Sequence, residues 1–207
     1  MKKVLALVLA LVMVLGLCGT AFAKFYTDAE LEEFGLNGYT PNEVRNDAVS
    51  RAIALDSYIL MKNDGVLPIA KEGKIALFGN GATGTIKGGS GSGIVNQRER
   101  DWIDTAFADA GYEITTPQAY FDRVGRGNVA TGFSGDREAV DSALTDEELA
   151  AAAAADTAIY TLARTAGEGS DRRMDSGNGR WTLTAAERGN LEKIAATFEN
   201  VIIVLNT

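Results

Sequence analysis

Histidine is absent from the 207 residues, and cysteine occurs once, at Cys18. Without histidine a Ser-His-Asp triad has no base. With a single cysteine no disulfide framework can form, and a Cys/His zinc site has no ligand set. Acid–base chemistry is left to carboxylates, lysine and tyrosine. Carboxylates are plentiful, 28 against 20 basic side chains, for a net charge of −8. An acidic chain lacks the Lys/Arg stripe that nucleic-acid phosphates demand, so nucleic acid is excluded as a partner. A neutral or polar substrate suits it better.

A membrane-spanning run is missing too. Lys2 and Lys3 precede an unbroken apolar stretch at residues 4–17. As a helix it would rise only about 21 Å, short of a hydrocarbon core of about 30 Å. Ala21-Phe22-Ala23 then supplies the small-x-small pattern of a cleavage site. The pattern predicts a cleaved signal peptide over 1–23, an exported protein and no membrane span. Cys18 follows Leu17 rather than a small residue, which argues against lipoprotein processing there. Cleavage near Ala23 would remove Cys18, and with it any Cys nucleophile, along with two of the basic residues.

What remains reads as one α/β domain. Residues 24–40 are polar and irregular, a leader segment. Thr40-Pro41-Asn42-Glu43 opens a helix, with an N-cap hydroxyl, proline at the first helical position and glutamate at N3. Val44, Ala48, Ala52, Leu55 and Ile59 follow at helical spacing as its expected buried stripe. Asn63-Asp64-Gly65 stops it. Residues 74–78 and 157–162 read as short, buried strands of the kind found in parallel sheets, 201–205 is a third, apolar one, and 113–115 is a weaker candidate. Helices are expected over 96–110, 146–155 and, from the Thr184-Ala185-Ala186-Glu187 box, 184–198; 120–135 reads as loop. Alternating strands and helices predict a doubly wound, mainly parallel sheet with helices on both faces, without internal repeat or second domain. The last strand ends two residues before Thr207, so the fold is expected to be incomplete at its C-terminus.

In such sheets ligands bind beyond the carboxyl ends of the strands, where strand order reverses. Two unusual loops leave those ends. The first, after Phe78, holds Gly79, Gly81, Gly84 and the run Gly88-Gly89-Ser90-Gly91-Ser92-Gly93. The second, after Leu162, runs Ala163-Arg164-Thr165-Ala166-Gly167-Glu168-Gly169-Ser170-Asp171-Arg172-Arg173. Glu168, between two glycines, is the carboxyl best placed to protrude. Arg164, Asp171 and Arg172 can brace the loop through bidentate ion pairs. On spacing alone this is equally an ordinary charged surface loop, and the Gly88 run is equally a connector or a phosphate cradle. The glycines fit G-x-G-x-x-G only loosely, no G-x-x-x-x-G-K-[ST] occurs, and no acidic residue closes a strand about 20 residues on.

Five blocks in order change that balance. Residues 51–68, ending in Ile59-Leu60-Met61-Lys62-Asn63-Asp64-Gly65-Val66-Leu67-Pro68, come first; then 74–79; Gly88-Gly89-Ser90-Gly91-Ser92; Arg164 with Gly167-Glu168-Gly169 and Asp171-Arg172; and 201–206. Together they resemble the C-terminal-type α/β-sandwich domain of glycoside hydrolase family 3 over residues 42–207. The resemblance implies a retaining β-glucosidase-like hydrolase acting on an oligosaccharide or β-glycoside, without metal or other cofactor. Two carboxyls about 5–5.5 Å apart would do the work. A barrel-domain aspartate is the nucleophile in such enzymes, and Glu168 matches the sandwich-domain glutamate that serves as general acid and base. Gly88, Gly89, Ser90, Arg164, Asp171 and Arg172 become substrate-binding or loop-supporting candidates.

No barrel is expected ahead of the domain, and the chain resembles the N-terminal part of members whose sandwich domain comes first. The expectation is therefore a fragment, inactive alone, whose partner is a missing C-terminal barrel. A non-catalytic carbohydrate-binding module is an alternative, needing an aromatic platform: Trp102 is expected in a helix and in the core, while Trp181 could line a site. A nucleotide-binding Rossmann-like domain is the other, disfavoured by the glycine spacing.

Overall fold

The computed structural model describes residues 26–87, 101–125, 141–166, 172–175 and 181–207. The chain divides into two compact units, 1–62 and 63–207.

The described residues of the first unit form two helices, α1 (Asp28–Glu33) and α2 (Pro41–Ser57). Each starts on a reciprocal Thr-x-x-Glu box. The Thr40 hydroxyl accepts the Glu43 N–H at 3.2 Å, and the Glu43 carboxylate accepts the Thr40 N–H at 2.8 Å. Thr27 and Glu30 repeat the pattern, so the leader expected to be irregular contains a short helix. The expected buried stripe on α2 is not buried: Val44, Leu55 and Ile59 are exposed, as are Val49 and Ile53. Within its unit α1 is too short to cover it, at about 9 Å against about 26 Å for α2. Nor does the helix reach Asn63. It stops at Ser57, and Tyr58 turns extended.

The second unit begins with the expected turn at Asn63, whose side-chain oxygen accepts the N–H groups of Gly65 and Leu67. Four strands then build one parallel sheet, β1 (Gly73–Phe78), β2 (Tyr112–Ile114), β3 (Thr157–Ala163) and β4 (Asn200–Asn206), in the order β2-β1-β3-β4. Register runs Ile75↔Thr157 to Phe78↔Tyr160 between β1 and β3, and Thr157↔Asn200 to Ala163↔Asn206 between β3 and β4. The weak strand candidate at 113–115 is real, shifted by one residue.

Helices α3 (Ile103–Asp109), α4 (Gln118–Val124), α5 (Asp146–Ala152) and α6 (Ala185–Thr197) connect the strands. The alternation of side chains along each strand sorts them onto two faces. Ala76, Phe78, Ala158, Tyr160 and Leu162 pack with Tyr120 and Val124 of α4, Ala152 of α5 and Ile194 of α6. Ile75, Leu77 and Ile159 face the other way, toward Ile103 and Phe107 of α3. The doubly wound α/β architecture expected from the sequence is present. Phe78 anchors it, fully buried and edge-on to Tyr120 at 5.5 Å and Phe198 at 5.9 Å. Truncating such a ring to alanine costs about 3–5 kcal/mol.

Helix α4 occupies part of the stretch read as loop; Tyr120 and Val124, one turn apart, bury the only face it has. Trp102 stands at the N-cap of α3, half-buried rather than in the core. Among the described residues no helix is long and apolar enough to cross a membrane.

Candidate functional site

Strand order reverses between β1 and β3, because β2 lies on one side of β1 and β3 on the other. Both are central, parallel and in register, so their C-terminal exits lie side by side at one edge of the sheet. That is the position where open α/β sheets bind ligands.

The exit from β1 is built by close backbone approach. Gly79 takes φ +92°, and a Cβ there would lie 2.2 Å from the Thr161 carbonyl oxygen. The Gly81 N–H donates to that same oxygen at 3.0 Å, so the turn crosses directly over β3. Asn80 then clips the strands together beyond their ladder. Its side-chain oxygen accepts the Ala163 N–H at 2.9 Å, and its amide nitrogen donates to the Ala163 carbonyl at 3.2 Å. Asn206, at the end of β4, does the same to the returning loop. It accepts from the Ile86 N–H at 2.5 Å and donates to the Ile86 carbonyl at 3.0 Å. Both asparagines satisfy backbone groups that the sheet itself leaves open.

The exit from β3 is held by Arg164. Its backbone N–H donates to the Asn206 carbonyl at 2.9 Å. Its guanidinium forks onto Glu187 in the first turn of α6, with N–O distances of 2.8 and 2.7 Å. The pair is buried, the two side chains 7 % and 3 % exposed. Glu187 also closes the α6 capping box, accepting the Thr184 N–H at 2.8 Å. One carboxylate thus starts a helix and fastens the loop that leaves β3. The guanidinium donates further to the Ala163 carbonyl at 2.9 Å.

Of the residues proposed from sequence, Arg164 does brace its loop by a bidentate pair, but with Glu187 as acceptor. Arg172 donates through Nε to the Thr165 carbonyl, bridging the loop to its own start. Glu168, Asp171, Gly88, Gly89 and Ser90 lie outside the described residues, as does the segment 1–23. Trp181 is exposed by 44 %. Among the described residues no three His, Cys, Asp or Glu side chains gather into a metal-holding group.

A buried polar cluster beneath the edge was not anticipated. Asp141 is nearly fully buried among the hydroxyls of Tyr120 and Tyr160 and the amide of Asn190. Burial raises its carboxyl above the ordinary range, outweighing the hydrogen bonds from Tyr160, Ser142 and Asn190 that pull it down. Burial first, and the charge of Asp141 second, push both phenols well above their usual value. Tyr160 in the middle of a buried strand was the available signal, since a buried phenol needs a partner.

Residues 58–207 match the family described as the glycosyl hydrolase family 3 C-terminal domain. The chain belongs to glycosyl hydrolase family 3. Among characterised relatives it is 29 % identical over 216 residues to β-glucosidase A of Butyrivibrio fibrisolvens, covering 85 % of this chain and 26 % of that protein. It is 32 % identical over 155 residues to a β-glucosidase of Ruminococcus albus, covering 72 % of this chain and 16 % of that one. The family 3 chain therefore spans about a quarter or less of these relatives' length. The fold matches β-glucosidase 3B from Thermotoga neapolitana, solved with glucose, at a TM-score of 0.68 and 24 % identity, over 81 % of this chain and 25 % of that one.

Proposed function

We propose that this family 3 domain supplies the acid/base carboxylate of an exported, retaining β-glucosidase-like hydrolase, with Glu168 as that carboxylate. The observation that carries the reading is the β3 exit at the strand-order reversal, where a buried Arg164–Glu187 pair roots a loop four residues before Glu168. A loop that must present one carboxyl at a defined point needs a rigid root. The β-glucosidase names of the relatives supply the substrate class.

In this mechanism Glu168 protonates the leaving glycosidic oxygen while an aspartate from a barrel domain attacks the anomeric carbon. Glu168, now a carboxylate, takes a proton from water, and that water releases the sugar from the aspartate. Both carboxyls are needed for the two steps, so these 207 residues without a barrel aspartate should not turn over an aryl β-glycoside. Lys2, Lys3, the apolar run 4–17 and Ala21-Phe22-Ala23 support export with cleavage near Ala23.

The test is Glu168→Gln in an enzyme joining this domain to its barrel. Loss of acid assistance costs roughly 10²–10⁴-fold, most where the leaving group is poor. Hydrolysis of alkyl glucosides should collapse, while glycosyl-enzyme formation from an activated aryl glucoside survives better. Azide, which needs no base, should accelerate turnover and give a β-glycosyl azide. Full activity of Glu168→Gln on unactivated glucosides sinks the assignment and makes Asp171 the next carboxyl to replace.

A further inference from the structure

Asp141 plays no part in that reaction, yet four donors converge on it. The Ser142 N–H reaches Oδ1 at 2.9 Å and the Tyr120 hydroxyl reaches it at 3.3 Å; the Asn190 amide reaches Oδ2 at 3.4 Å, and the Tyr160 hydroxyl donates there too. The Tyr120 hydroxyl in turn accepts the Gly79 N–H at 2.9 Å. One carboxyl is therefore joined to α4, β3 and α6 directly, and to the end of β1 through one intermediary.

We propose that Asp141 is a positioning residue for the C-terminal edge of the sheet: acting through the Tyr120 hydroxyl, it fixes the Gly79 turn at which β1 passes into the glycine-rich loop. The catalytic meaning of that edge rests on the reading above, but the positioning does not.

The direction of one hydroxyl hydrogen decides whether Gly79 is held. A phenol has a single hydrogen to donate and lone pairs to accept with. To hold the Gly79 N–H, the Tyr120 hydroxyl must aim its own hydrogen elsewhere. An ionised carboxylate accepts only, so it draws that hydrogen to itself and leaves the lone pairs for Gly79. An asparagine at 141 would set an NH₂ against partners that all donate. Gly79 has no side chain for another anchor to grip, and its φ of +92° with Thr161 2.2 Å from a would-be Cβ forbids one.

Among the described residues few charged groups surround the cluster. Glu187 raises Asp141 by repulsion, although it is itself paired with Arg164. Arg123 lies 5.6 Å over the Tyr120 ring and is paired with Glu148 at 2.6 Å. Tyr120 and Tyr160 stay neutral at ordinary pH. The titrating member of the cluster is Asp141, whose raised pKa puts its charge change above the usual carboxyl range.

Amide hydrogen exchange on the chain tests this without catalysis, reading Gly79 against Leu77, whose N–H donates to the Thr116 hydroxyl at 2.8 Å in a bond that Asp141 does not touch. Tyr120→Phe, which keeps the ring packed on Phe78, should speed Gly79 exchange about tenfold relative to Leu77, the equivalent of one buried hydrogen bond. Asp141→Asn should move the ratio in the same direction. Tyr160→Phe removes a donor to the same carboxyl without touching Gly79, and should leave the ratio within about threefold. In the unaltered chain, acidification through the Asp141 titration should lower the relative protection of Gly79; Asp141→Asn should lack that step. Equal acceleration of Gly79 and Leu77 in every variant would make Asp141 a packing residue and overturn the proposal. Should the variants fail to fold, a pH-independent ratio in the unaltered chain overturns it as well. If the exchange pattern holds while Glu168→Gln keeps full activity in the enzyme, only the catalytic reading falls.

Discussion

The Arg164–Glu187 pair offers a sharp test because Glu187 does two jobs that substitution can separate. It accepts the Thr184 N–H at 2.8 Å as the helix cap, and it receives both guanidinium arms at 2.8 and 2.7 Å. Glutamine serves as well as glutamate at N3 of a capping box. Glu187→Gln should therefore keep the cap while stripping the charge, leaving Arg164 ionised at 7 % exposure with no counter-charge. Removing one partner of a buried pair costs about 3–5 kcal/mol. Arg164→Met should cost a similar amount, for the mirror reason. The Ala163 carbonyl that loses the guanidinium still accepts from Asn80. With both substitutions combined, no buried charge is left, the cap survives and methionine fills the slot, so the double variant should lose only about 1 kcal/mol. Urea unfolding followed by circular dichroism, with stability taken as midpoint times slope, measures all four corners. Against a total of about 5–15 kcal/mol either single loss is large. If the double variant is as unstable as the two singles added together, the pair is not coupled as its geometry says, and Glu187 is a cap and nothing more. Thr184→Ala isolates that cap and should cost about 1 kcal/mol.

Gly79→Ala should be among the most damaging single-methyl additions in the chain, because the new carbon would lie 2.2 Å from a backbone oxygen at φ +92°; a loss above about 3 kcal/mol is expected in the same unfolding assay, and a loss under 1 would refute the close approach. Asn80→Ala should leave the buried Ala163 N–H without its acceptor and cost about 1–3 kcal/mol; a thermal midpoint unchanged by it would show that water replaces the clip. The folded pKa of Asp141 is raised, so its contribution to stability is complete below the unfolded carboxyl value and is lost as pH rises through the folded one. The melting temperature of the unaltered chain should accordingly fall relative to Asp141→Asn as pH rises from the ordinary carboxyl value through the raised value of Asp141; a constant difference refutes it. This global trend and the local loosening at Gly79 on protonation are separate readouts: protonation relieves the buried charge while freeing the Tyr120 hydrogen.

Local chemistry was legible in the residue order. The boxes at Thr40 and Thr184 open α2 and α6 where the spacing says they must, and the same Thr-x-x-Glu pattern, read no further in the sequence, also opens α1 at Thr27 and α5 at Thr145. A cap is satisfied within four residues, so no distant partner is needed to form it. Three runs read as buried or apolar strands became β1, β3 and β4, and their alternation with helices was enough to make the sheet parallel. The edge where the Gly79 and Arg164 loops meet followed from that topology alone. Tertiary structure decided the rest. Whether an apolar helical stripe is buried depends on what covers it, and α2 keeps Val44 and Leu55 exposed despite correct periodicity. Helix α4 is one turn of apolar contact long, a signal too short to stand above loop until Tyr120 finds the carboxyl at Asp141. Arg164 could have met any acidic side chain near it; choosing Glu187, 23 residues on, required α6 to return antiparallel to β3 with its first turn beside the strand's exit. Pairings of that kind are set by where the chain comes back in space, which no spacing along the sequence encodes.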